Sequence, residues 1–337
     1  MPDQRRRPLT ENPATGVVGH FLNPTVIFGH STGSQDRTIH ARRVFGGTAW
    51  RQPEIHVIGN THASPILATI DSYRWGGEDD MIDVTQFPDQ QASVIYAIGD
   101  IHGRLDLLDL IEKMIAEDIV RSGEQAPLIC YLGDYIDRGP HSAQVIDRLC
   151  SYTNDGVRRL FLAGNHEDRM IDFLVDPIAN GPAWMKFGGR EALESYGLAV
   201  PVELGEADWQ TLCAQLEAAL PHSHRDFLSS LLLGVRWRGY LLVHAGLDPE
   251  RPITAQVERD LMWIREPFLS SERDWGFKVI HGHVITEKPV FRANRIGIDT
   301  GAYQSGCLTC LVLSGEGERL IQTGPVMSKE LSDARRW

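Results

Sequence analysis

The chain has 337 residues, enough for a sizeable core and more than one domain, with an ordinary globular balance of 42% hydrophobic and 23% charged residues. Its net charge of −12 excludes general nucleic-acid binding, which needs a basic surface, but allows a phosphate site where bound metal ions reverse the local charge. No apolar run approaches the ~20 residues that span a bilayer, and Arg5, Arg6 and Arg7 lead into no apolar stretch of a secretory signal, so neither membrane nor export is expected.

Residues 1–91 are rich in Gly, Thr, Ser, Asn and Pro, and only 25–28, 55–58 and 65–70 have strand character. This composition predicts a loosely structured or disordered extension of unknown role. His20, His30, His40, His56 and His62 lie in it without the clustering that a metal site requires.

From residue 92 the pattern changes. Apolar segments at 93–98, 127–132 and 159–163 each end in a polar turn: Gly99-Asp100-Ile101-His102-Gly103-Arg104, Gly133-Asp134-Tyr135-Ile136-Asp137-Arg138-Gly139 and Gly164-Asn165-His166-Glu167. Short Gly-bounded runs of Val, Ile, Leu and aromatics suit strands buried on both faces. Each is followed by a helical stretch. The first helix is predicted over 105–120, where Leu107, Leu108, Ile111, Ile115 and Ile119 recur with a period near 3.6. A second is predicted over 141–152, with Pro140 near its start, and a third over 167–175. Strands alternating with helices imply parallel pairing, with ligand groups gathered beyond the carboxyl ends of the strands.

Residues 180–234 read as a helical cap inserted over the sheet edge, with helices at 191–196, 206–219 and 224–233; such segments commonly shape substrate access. Strand character returns at 240–243, ahead of His244, and 254–264 reads as helix. Segments 278–280, 295–298 and 307–313 are close in sequence and are expected to form a second, more antiparallel sheet; the first two lead into His281-Gly282-His283 and Asp299-Thr300-Gly301. The catalytic domain is predicted over 92–325, with a polar tail over 326–337. The five cysteines are an odd number without a framework spacing, which favours a reducing, cytoplasmic location. Cys307 and Cys310 lack the second pair of a zinc site and read as strand packing.

Asp100, His102, Asp134, Asn165, His166, His244 and His283 all stand at predicted strand ends. Carboxylate, imidazole and amide oxygen form a mixed donor set that suits Mn²⁺, Fe or Zn²⁺ better than Ca²⁺. One bridging carboxylate can hold two ions about 3.5–4 Å apart with an activated hydroxide between them, a nucleophile fit for phosphate esters. The planar fork of Arg138 matches a phosphate group, and Arg265 is a second candidate. His166 is positioned to protonate a leaving oxygen, with Asp137 orienting it.

The runs Gly99-Asp100-Ile101-His102-Gly103, Gly133 to Gly139 and Gly164 to Glu167 resemble the signature of the phosphoprotein phosphatase family of calcineurin-like metallophosphoesterases. Within that family, the segments around Trp184, Gly188, Ser195, His244, Trp263 and His281 are similar to those of bacterial and phage-like serine/threonine protein phosphatases. The likeness covers about residues 94–313. It implies an α/β fold, a two-sheet β-sandwich flanked by helices, where periodicity alone leaves a single doubly wound sheet open. It implies that Asp100 and His102 bind a first metal, that Asp134 bridges both, and that Asn165, His244 and His283 bind the second. His166 and Asp137 would be the acid pair and Arg138 and Arg265 the phosphate clamp. Two divalent ions, Mn²⁺ foremost, would serve a phosphoprotein or small phosphoester substrate. The alternatives are a dinucleoside polyphosphate hydrolase, of the symmetrical tetraphosphate type, and a metal-stabilised binding protein without turnover. Ala163 replaces an Arg common before Gly-Asn-His-Glu, and Val284-Ile285 stand where Thr-Pro is common; neither change removes a ligand.

Overall fold

A computed structural model describes residues 81–87, 90–152 and 155–324. The strand segments expected at 25–28, 55–58 and 65–70, the five scattered histidines, the arginine triplet and the tail over 326–337 lie outside the described residues.

Two five-stranded sheets carry the domain. In the first, strands β2 (Val94–Ile98), β3 (Pro127–Tyr131) and β4 (Arg158–Phe161) run parallel. Strand β11 (Thr309–Ser314) adds antiparallel to β2, and β12 (Gly317–Gln322) adds antiparallel to β11. In the second, β6 (Tyr240–Val243), β8 (Lys278–His281) and β10 (Arg295–Gly297) are parallel. Antiparallel β5 (Gly234–Trp237) and β9 (Val290–Phe291) form its edges. Each sheet thus has three parallel strands whose carboxyl ends lead into polar turns.

Alternation along the strands builds three cores. On β2, Val94, Tyr96 and Ile98 face the helices, while Ile95 and Ala97 face the other sheet. On β6, Leu242 points between the sheets, and Leu241 and Val243 pack outward with Leu261, Phe268 and Trp275. The inter-sheet core also takes Leu128, Cys130, Trp237, Ile280, Ile296 and Leu311. Burying both faces of β2 and β3 accounts for their unbroken apolar sequences.

The helices are α1 (Leu105–Ser122), α2 (Ser142–Cys150), α3 (Asn165–Val175), α4 (Pro177–Lys186), α5 (Gly189–Ser195), α6 (Glu206–Ala219), α7 (His222–Ser230), α8 (Glu258–Trp263) and α9 (Ala302–Ser305). Helix α1 buries Leu107, Leu108, Ile111 and Ile115 on the first sheet, and Gly123, left-handed at φ 71°, ends it. The helices between β4 and β5 contribute Trp184, Leu193, Trp209, Leu216 and Phe227 to this same core.

Several elements differ from the sequence reading. The segment 307–313 does not join the second sheet: as β11 it pairs with β2 of the first. Strands β8 and β10 are parallel to one another, not antiparallel. Over 254–264, a 3₁₀ turn (Ile253–Ala255) and a two-residue strand, β7 (Gln256–Val257), precede a helix only six residues long. Strand β7 pairs with β1 (Met81–Ile82), and Val84 enters the second sheet's outer core, so residues 81–87 pack on the domain rather than hanging loose. Helix α4 escapes sequence reading because Pro182 lies inside it; Pro177 in its first turn and the Asp176 carboxylate, which accepts the Ala179 N–H, start it.

Candidate metal centre

The six parallel strands deliver their polar turns to one edge. After β2 come Asp100 and His102, after β3 Asp134, Asp137 and Arg138, and after β4 Asn165 and His166. From the second sheet come His244 after β6, His283 after β8 and Asp299 after β10. All except Arg138 are buried.

Asp134 is the centre. Its Oδ2 lies 3.6 Å from His102 Nε2 and 3.9 Å from His166 Nε2, and its Oδ1 lies 3.4 Å from His244 Nε2. Asn165 Oδ1 stands 3.1 Å from His244 Nε2 and 2.7 Å from His283 Nδ1. Two sets of donor atoms therefore cluster tightly enough to hold a cation, His102–Asp134–His166 and Asp134–His244–His283, with Asp134 common to both. Asp100 joins from the side, its carboxylate accepting the His283 N–H at 3.0 and 3.2 Å. A Cβ at Gly282 would stand 2.0 Å from Asp100 Oδ1, so a side chain there would displace that carboxylate.

The backbone is strained where these side chains converge. His102, Asp134, Asp137, Arg138 and His283 all have positive φ, between 48° and 71°. Left-handed non-glycine residues cost about 1–3 kcal/mol each and persist where packing over-determines them, characteristically at functional sites. Glu167 supplies part of that packing. Its buried carboxylate accepts the N–H groups of Asp134, Tyr135 and Gly164 at 2.8–3.0 Å, locking the turn after β3 to the start of α3.

The four central histidines divide by protonation. Burial pushes His102, His244 and His283 below the ordinary histidine value, His283 to about 2, so they offer neutral lone pairs near neutral pH. Burial also acts downward on His166, but Asp134 and its hydrogen bond to Asp137 outweigh it and raise it. His166 Nδ1 is 2.6 Å from Asp137 Oδ2, and Trp184 Nε1 donates to both oxygens of Asp137 at 3.0 and 3.1 Å. His166 Nε2 is buried with no hydrogen-bond partner. Asp134 moves the other way: burial alone would raise it, yet the four surrounding histidines hold it well below the carboxylate range.

Arg138 Nη1 is 3.1 Å from His102 Nε2, and its guanidinium lies over the Tyr303 ring at 4.8 Å. Arg265 is exposed just beyond α8, and its charge is felt at His283. The structure thus brings together nine of the ten residues singled out from sequence and sets Arg265 at the rim. Sequence reading undervalued three others. Trp184 and Glu167 are buried, and each also holds a site residue, Trp184 through Asp137 and Glu167 through the turn at Asp134. Asp299 was seen only as a strand-end residue, and a polar residue after an apolar run was the one signal available.

The unpartnered His283 Nε2, the neutral imidazoles of His102, His244 and His283, and the Asp134 carboxylate between them fit divalent cations. Among the described residues, no helix is long and apolar enough to cross a membrane.

The model of the calcineurin-like phosphoesterase family matches residues 93–303. The asymmetrical bis(5'-nucleosyl)-tetraphosphatase PrpE of Halalkalibacterium halodurans is 26% identical over 243 residues, covering 64% of this chain and 87% of that protein. The protein of the same name from Anoxybacillus flavithermus is 26% identical over 233 residues, covering 64% and 88%. Among solved structures, a protein serine/threonine phosphatase from Saccharomyces cerevisiae superposes with a TM-score of 0.44 at 14% identity, covering 79% of this chain and 89% of its own.

Proposed function

The chain belongs to the calcineurin-like phosphoesterase family, a family of metal-dependent hydrolases, and from that premise we propose that it hydrolyses alkyl phosphomonoesters, with phosphoserine and phosphothreonine in proteins as the first substrate class. Asp100, His102 and Asp134 would hold one divalent ion, and Asp134, Asn165, His244 and His283 the other. When bound, the ions, Mn²⁺ foremost, supply charge to neutralise phosphate oxygens and an activated water at neutral pH. Arg138 grips the equatorial phosphate oxygens with its planar fork, and Arg265 approaches from the rim. Tyr303 supports the Arg138 guanidinium from one face. His166 holds its proton at Nε2 for the leaving oxygen; Asp137 fixes the ring through Nδ1, and Trp184 fixes Asp137.

One observation carries the substrate class: His166 Nε2 is buried and unpartnered while Nδ1 is bound to a carboxylate. A proton held in this way matters most when the leaving group is poor. A serine or threonine alkoxide needs that proton in the transition state, whereas a nucleotide leaving from a phosphoanhydride departs as a stable anion. The second reading, hydrolysis of dinucleoside tetraphosphates, is favoured by the names of the curated relatives. Comparing kcat/KM for a phosphoserine peptide and for diadenosine tetraphosphate, both with Mn²⁺, tests the order. Faster turnover of the dinucleotide reverses it, and no metal-dependent release from either, or from para-nitrophenyl phosphate, leaves a binding protein. All five thiols are free, which favours a reducing, cytoplasmic setting.

A further inference from the structure

Of the six parallel strand ends, five supply the donors proposed above. The sixth, after β10, carries Asp299. It is 2% exposed, its Oδ1 accepts the Gly301 N–H at 2.8 Å, and its Oδ2 is buried with no hydrogen-bond partner. An unpaired buried carboxylate oxygen is costly and calls for a compensating group.

Its position says which group. The ends of β2 and β10 abut: a Cβ at Gly99 would stand 2.9 Å from the Ile298 carbonyl oxygen, which places the next residues, Asp100 and Asp299, side by side. The Asp299 carboxyl lies within reach of the Asp100 carboxyl, and Asp134 and Arg138 are its other charged neighbours. Three buried carboxyl groups, those of Asp100, Asp134 and Asp299, thus share this corner. A divalent cation relieves such crowding. The proposed donor sets are also unequal, three residues for the first ion against four for the second, and the deficit lies on the side of Asp100.

Resting on the metal reading above, we propose that Asp299 is a further carboxylate of the first metal site, its free Oδ2 completing the donors supplied by Asp100, His102 and Asp134. Asp299 sets how tightly the first ion is held. The Asp299 Oδ1 bond to Gly301 orients the carboxylate, so an amide in its place keeps that bond and removes only the charge.

The test is Mn²⁺ binding to metal-stripped protein, followed by calorimetry without substrate. Wild type is expected to bind two ions. Asp299→Asn is expected to weaken one of them by at least ~10–100-fold, the loss already seen for groups that only support metal ligands, and to leave the other unchanged. Unfolding in chelator checks that the variant is folded. Should it not fold, Asp299→Ser, whose hydroxyl can still accept from Gly301, replaces it with the same expectation. Two ions bound by a folded variant with wild-type affinities overturn this inference alone. Fewer than two ions bound by wild type overturn the metal reading on which it rests.

Discussion

His166, at the strand ends of the first sheet, and His244, at those of the second, are equally buried and both lie beside Asp134. They differ in the partner of Nδ1. For His166 it is the Asp137 carboxylate at 2.6 Å; for His244 it is the Leu132 carbonyl oxygen at 2.7 Å. A carboxylate holds a proton on the ring, and a carbonyl merely fixes the tautomer and leaves Nε2 as a lone pair. Burial lowers His244, while the charges of Asp134 and Asp137 reverse the same effect on His166. One residue type in one pocket is thus held toward its protonated form by one set of partners and toward its neutral form by the other, the contrast that the proposed acid and ligand roles require.

The sharpest way to break this contrast is to remove the acid and spare the ligands. His166→Asn is expected to cut kcat on a phosphoserine peptide by ~10²–10⁴-fold, while Mn²⁺ still binds; near wild-type turnover would take His166 out of the mechanism. Next comes the strained turn beside it. Arg138→Gly should lower kcat/KM by about 10²–10³-fold, the scale for losing one oxyanion donor. The same change relieves about 1–2 kcal/mol of left-handed strain against about 0.5–1 kcal/mol of added unfolded-state freedom. Losing the guanidinium's contact with Tyr303 takes back about 0.5–1 kcal/mol, so denaturant unfolding should show stability within about 1 kcal/mol of wild type; a loss well beyond that would mean the φ of 64° is not strained.

Asp137→Asn turns the acid's partner into one more like that of His244. The raised value of His166 means that its protonated form adds stability below the ordinary histidine value near 6.5, lost as pH rises through the higher folded value. Turnover needing that proton should fall on the alkaline side of the same window. With Asn at 137 the alkaline limb of kcat should move to lower pH and the rate fall by about 10–10²-fold; an unmoved limb would assign it to another group. The smallest effect is expected from Trp184→Phe, which keeps the ring and drops one donor to Asp137, worth about 1 kcal/mol, or about fivefold in kcat, with KM unchanged.

The first sheet's half of this pocket was more legible than the second's. Strands β2 and β3 read clearly because both faces are buried, and α1 and α6 because their apolar positions recur at helical spacing. The polar turns after β2, β3 and β4 stand out against those strands. Pairing was not legible: β11 crosses from the second half of the chain to lie beside β2, which no local pattern encodes. Edge strands β5 and β12 were missed, since β12 has no fully buried residue and β5 follows a helix with only a short connection. The hydrogen bonds by which Trp184 and Glu167 hold site residues depend on tertiary neighbours and leave no mark in the local sequence.

The central claim is that six strand ends from two sheets meet to hold a pair of cations about Asp134. Anomalous diffraction from a crystal soaked in Mn²⁺ tests it most directly. The account predicts two peaks flanking the Asp134 carboxylate, one toward Asp100 and His102 and one toward His244 and His283. A map with no peak there, or with metal bound only elsewhere on the protein, would contradict it.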